Sequence, residues 1–206
     1  MITTKSILPS LVLAGFLTPG AAHAAFILDT GVPTGAGMPL TVDSNDFYAA
    51  EFTLGSGQTI TGIQDYMTSG LDQPGTTFTV ALYSASDFGT RQATPVFASQ
   101  ATFTADGWNG LSNLHLAGLS AGNYWAAIEV GGTDSATGLE LPVPAANGTV
   151  PALAYAFNAG SGYTTAGAQA FGAQVSVAPV PLPAAIWLFG SALVGVGAAG
   201  RGRSRK

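Results

Sequence analysis

Along much of the chain, apolar and polar residues alternate with a period of two. In residues 77–83 (TFTVALY), Phe78, Val80 and Leu82 fall on one face, and Thr77, Thr79 and Ala81 on the other. That is the spacing of a strand that buries one side. Residues 124–130 repeat the pattern, with Tyr124, Ala126, Ile128 and Val130 expected inward and Trp125 and Glu129 outward. Tyr48, Ala50, Phe52 and Leu54 alternate in the same way with Phe47, Glu51 and Thr53. Further strands are expected at 26–28, 59–66, 95–104, 112–116, 139–141, 152–157 and 169–178, punctuated by turn residues such as Gly55-Ser56-Gly57, Asp106-Gly107, Ala121-Gly122-Asn123 and Asn147-Gly148. No stretch between the two ends holds a sustained 3.6-residue stripe. Many short strands with regular turns predict an all-β body over 25–178, an antiparallel β-sandwich of jelly-roll type. Segment 132–150, poor in aromatics and rich in turn residues, reads as a long loop.

The two ends follow different patterns. Residues 1–24 read as a secretory signal peptide: Lys5 supplies a positive start, residues 7–17 an apolar run, and Ala22-His23-Ala24 an A-x-A signal for cleavage by signal peptidase before Ala25. The run is too short for a permanent membrane span. A buried N-terminal helix is the alternative, and it leaves the small-residue region before Ala25 unexplained. At the other end, residues 184–200 (AAIWLFGSALVGVGAAG) carry no charge, and Arg201, Arg203, Arg205 and Lys206 follow at once. A helix of that length, at roughly 1.5 Å per residue, just crosses a thin bilayer. The basic tail would stay on the cytoplasmic side, with the body outside. Ser191, Gly195 and Ala199 recur every four residues on it, a small-residue stripe that either admits a partner helix or reflects a span rich in small residues.

Ahead of the span stands Val180-Pro181-Leu182-Pro183-Ala184. Its two prolines keep the chain extended, a form that a protease cleft accepts. Motif, apolar span with Trp187 and terminal basic cluster, in that order over residues 179–206, resemble the PEP-CTERM family of bacterial sorting signals in its VPLPA form. The Pro-Glu-Pro of the parent form is absent. The resemblance implies processing by an exosortase-type membrane transpeptidase in a Gram-negative bacterium that makes exopolysaccharide. The middle of the body, 45–131, loosely resembles the choice-of-anchor β domains carried by other proteins with such signals.

Charge sharpens this picture. Of six basic residues only Arg91 lies between residues 25 and 180, against all eleven acids, a formal charge of −10 for that stretch. Such a body has no means of neutralising phosphates, which excludes nucleic acid as a partner. With no cysteine there is no disulfide scaffold, thiol nucleophile or thiolate metal site. With Ala22-His23-Ala24 removed, His115 is the one histidine left in the body. No G-x-S-x-G flanks a strand-to-helix turn, so a Ser–His–Asp triad has little support and a surface or edge-strand histidine is the simpler reading. Glu51, Glu129 and Glu140 are the glutamates a glycosidase would draw on, and outward solubilising positions explain Glu51 and Glu129 equally.

Asp43, Asn45 and Asp46 gather oxygen ligands of the kind calcium takes, without EF-hand spacing; an Asx-turn explains the same residues. Trp108, in the turn 106–110, and outward Trp125 are candidate platforms for a sugar ring. No cofactor is expected, and the Asn147-Gly148-Thr149 sequon carries no meaning in a bacterial exported protein. The expectation is an exported, non-enzymatic surface or matrix protein. It passes through the inner membrane, is anchored there transiently and ends at the cell surface or in the extracellular matrix beside polysaccharide. A carbohydrate- or calcium-binding adhesion module, and behind it a secreted hydrolase, are the alternatives.

Overall fold

The computed structural model describes residues 25–86, 88, 94–165 and 169–179. Every regular element among them is a β-strand. In chain order these are β1 (Ala25–Pro33), β2 (Leu40–Val42), β3 (Asp46–Leu54), β4 (Ile60–Met67), β5 (Thr77–Ser84), β6 (Phe97–Thr102) and β7 (Gly107–Leu116). There follow β8 (Gly122–Glu129), β9 (Leu139–Leu141), β10 (Ala145–Val150), β11 (Tyr155–Ala159), β12 (Tyr163–Thr165) and β13 (Ala173–Val177). The expected signal peptide, the Val180–Ala184 motif, the span 184–200 and the basic tail lie outside the described residues. Among the described residues no helix is long and apolar enough to cross a membrane.

The strands form two antiparallel sheets, of order β10-β1-β13-β4-β7 and β12-β11-β3-β8-β5-β6, with β2 and β9 as a separate short ladder. One apolar core draws on both. Leu28, Ile60, Ile63, Met67, Val175 and Val177 come from the five-stranded sheet, and Tyr48, Phe52, Phe78, Val80, Leu82, Tyr124 and Ile128 from the six-stranded one. The fold is all-β and antiparallel, consistent with a sandwich whose inner faces follow the period-two pattern.

The outer face of the six-stranded sheet departs from the expected solvent exposure. Ala156, Ala49, Ala127 and Ala81 stand side by side across β11, β3, β8 and β5. These small side chains make a low floor on which Tyr83, Trp125 and Tyr163 lie, all buried. Phe88 covers them, its ring stacked on Trp125 with centroids 4.1 Å apart. Trp125 is therefore an outer-face residue but only 5% exposed, and the solvent-facing position expected for it is corrected. Glu129 is likewise no free solubilising group. One of its carboxylate oxygens accepts hydrogen bonds from the hydroxyls of Tyr83, at 2.8 Å, and Tyr163, at 2.6 Å.

Segment 132–150 is corrected too, since it contains β9 and the edge strand β10. Strand β10 pairs with β1 through a close approach of two glycines. A side chain on Gly31 would strike the Ala146 carbonyl, and one on Gly148 the Asp29 carbonyl. Ahead of β9, Asp72 accepts hydrogen bonds from the backbone N–H groups of Thr137 and Gly138 and from the Thr137 hydroxyl.

Candidate functional site

On the five-stranded sheet, register decides which side chains share the outer face. Tyr66 stands opposite Trp108, Gln64 opposite Gly110 and Gly62 opposite Ser112 across β4 and β7. On the other side of β4, Gln64 pairs with Gln174 and Gly62 with Ser176. Their neighbours Ile63, Asp65 and Met67 point into the core, so these residues point out. The Tyr66 and Trp108 rings meet edge to face, with centroids 5.6 Å apart and planes at 87°. Both residues are half-buried. Trp108 thus lies within β7 rather than in a free turn.

From this pair the face descends into an open depression of about 640 Å³ lined by Thr61, Gln64, Ser112, His115, Ser176 and Pro179, among others. Its floor is low because Gly62 carries no side chain. A methyl there would come within 2.8 Å of the Ser176 hydroxyl and 3.2 Å of the Leu111 carbonyl. The Thr61 and Ser176 hydroxyls are 3.1 Å apart. His115, near the end of β7, is exposed at the rim. Thr61, Gln64, Ser112 and Ser176 are neutral groups that both donate and accept hydrogen bonds.

The carboxylates are engaged elsewhere. Asp43 accepts hydrogen bonds from the backbone N–H groups of Asn45, at 2.7 Å, and Asp46, at 3.1 Å, the geometry of an Asx-turn. Among the described residues no group of three or more His, Asp or Glu side chains is placed to hold a metal. Glu51 lies opposite Trp125 on β8, four residues from Glu129, a separation of roughly 13 Å along the strand. Glu51 accepts a hydrogen bond from Asn123, and Glu140 one from Thr68 beside β9. Asn147, Gly148 and Thr149 belong to β10.

The described residues contain no lysine or arginine, so each acid finds a neutral partner or none. Asp134 accepts from Thr79, Gln100 and the Gly131 N–H. Burial alone would raise the Asp29 pKa, but hydrogen bonds from Gln174, Thr149 and Gly31 outweigh it and hold the carboxyl below its usual value. Asp65 is 3% exposed, and burial pushes its carboxyl well above the usual range. Burial, with the Asp46 and Asp43 charges adding to it, pushes the Tyr48 hydroxyl up to about 12.

Sequence reasoning singled out Trp108 and His115 but missed Tyr66, Gln64 and Ser176. The alternation in 59–66 carried the signal, since it sets Gln64 opposite in phase to Ile63. What it lacked was the register that brings β13 and β7 to either side of β4. Compared with known proteins, the chain matches no protein-family model and no curated protein.

Proposed function

We propose that the chain is an exported, non-enzymatic surface or matrix protein. On this reading it is held in the inner membrane by residues 184–200, processed at Val180–Ala184 by an exosortase-type transpeptidase and left beside extracellular polysaccharide. The observation that carries the reading is the pairing of Ala25 with Val177, in adjacent strands β1 and β13. It brings the expected signal-peptidase site and the chain leading to the sorting motif to one pole of the body. Before signal-peptidase cleavage, the leader and the C-terminal span would then leave the body from the same side, a placement compatible with export and transient anchoring. The basic tail favours the same orientation. The strand orders β1-β13-β4-β7 and β3-β8-β5-β6 support a jelly-roll, in which early and late strands interleave in both sheets.

A C-terminal epitope tag followed by cell fractionation tests the processing. Exported wild-type protein should have lost the tag while a body antibody still detects it. Tag retained on exported protein would reduce the segment to a plain anchor and sink the sorting reading.

A further inference from the structure

We infer that the outer face of the five-stranded sheet is a binding track for an uncharged polysaccharide, running from the Tyr66–Trp108 pair to the depression around Gly62. This deepens the reading above, on which it rests, by naming the class of polymer and the face that meets it. Three observations point the same way. Tyr66 and Trp108, each a partly exposed residue, set two aromatic rings on the outer face, side chains of the kind that pack on the C–H face of a sugar ring. Gln64, Thr61, Ser112 and Ser176 then present hydroxyls and an amide that donate and accept in turn, as vicinal sugar hydroxyls do. Gly62 and Gly110 keep the ground between them low, and a side chain on Gly110 would strike the Ile63 carbonyl.

Length and charge narrow the occupant. Tyr66 and Gly62 are four residues apart on β4, roughly 13 Å of strand, so the track suits several linked sugars better than one. The depression is open rather than enclosed, which fits an extended chain passing over it. No lysine or arginine is present among the described residues, and the body as a whole is acidic. A uronic or sulfated polymer would meet repulsion with no lysine or arginine to offset it, whereas a neutral glucan or mannan would not. The register that builds the face, β13-β4-β7, is fixed by the hydrogen-bond ladder of one sheet, so the groups are already side by side before any polymer arrives.

The test is affinity gel electrophoresis of the exported protein, purified from culture, in gels containing dextran, barley β-glucan or galactomannan, with alginate as the anionic comparison. Retardation is expected in at least one neutral gel and none in alginate. Trp108→Ala should weaken it at least tenfold. Ser112→Tyr, which fills the depression from an exposed position and leaves the core untouched, should do the same. Unchanged mobility in all three neutral gels would overturn the inference, as would wild-type retardation in Ser112→Tyr. Retardation in alginate as strong as in the neutral gels would overturn it as well. The outcome separates cleanly from that of the processing experiment. A protein that loses its C-terminal tag yet migrates freely refutes only the track, and one that keeps the tag yet is retarded refutes only the sorting.

Discussion

Asp65 occupies a position on β4 that alternation assigns to the interior, between Ile63 and Met67 and opposite Asn109 of β7. Its carboxyl shares that interior with Tyr155, whose hydroxyl is raised first by burial, with the Asp65 charge adding to it and a Thr30 hydroxyl offsetting part. A group whose folded pKa lies above its unfolded one contributes most stability below the unfolded value and loses it as pH rises through the folded value. The body should therefore lose stability from Asp65 as pH climbs above 3.8 toward that raised value. Asp65→Asn should flatten this slope and, near pH 7, gain on the order of 1 kcal/mol by removing a carboxyl that must either ionise in the interior or take up a proton on folding. For a body of this size that is roughly 2–4 °C in Tm. Melting curves from pH 4 to 8 check it, and parallel profiles for the two proteins would defeat it. Asp29 has the opposite sign: its depressed pKa makes its contribution present above the unfolded value and lost as pH falls through the folded one.

At the scale of elements, the alanine row across β11, β3, β8 and β5 turns the back of the six-stranded sheet into a second small core. Glu129 is its polar pin. Glu129→Ala leaves the Tyr83 and Tyr163 hydroxyls without their acceptor and should cost about 1–3 kcal/mol. Glu129→Gln retains an acceptor oxygen and should cost less. Trp125→Ala empties the centre of the cluster and should cost about 3–5 kcal/mol. Urea midpoints for the three variants measure the order; a silent Glu129→Ala would remove the pin from the account. This layer also marks where the sequence became unreadable. Strands β3, β5 and β8 announce themselves by alternation, yet alternation alone assigns one face to water. Nothing in Trp125 itself says that Phe88, thirty-seven positions earlier, lies over it. Strand β10 (AANGTV) has no alternation at all, because it is an exposed edge seated by the Gly31–Gly148 approach rather than by burial. Strands β2 and β12 are three residues each and, unlike the Leu-Glu-Leu of equally short β9, do not set two large apolar side chains around a charged one. For the outer face, Trp108 stood out as a residue type, while Gln64 and Ser176 acquire meaning only from cross-strand neighbours.

For the molecule as a whole, the proline pair ahead of the span sets a testable requirement. If Val180–Ala184 is read in extended form, replacing Pro181 and Pro183 by alanine should let helix extend upstream from the span and withdraw the site from the enzyme. The apolar length of residues 184–200 is unchanged, so on the proposed reading insertion should persist. Unprocessed protein should then accumulate in the inner membrane, as fractionation with the C-terminal tag would show. Normal tag loss from that variant would mean that the prolines play no part in recognition. The pairing of β1 with β13 has a consequence in time as well as in space. The first strand of the body has its last strand as a neighbour, with Ala25 against Val177. On the proposed export route, a chain threaded across the membrane from its N-terminus must hold β1 open on that side until nearly all of the body has followed. Loop closure over so many residues is slow compared with local hairpins such as β5–β6. The five-stranded sheet should therefore close last, after translocation rather than during it, and a chaperone on the outer side has that interval in which to act.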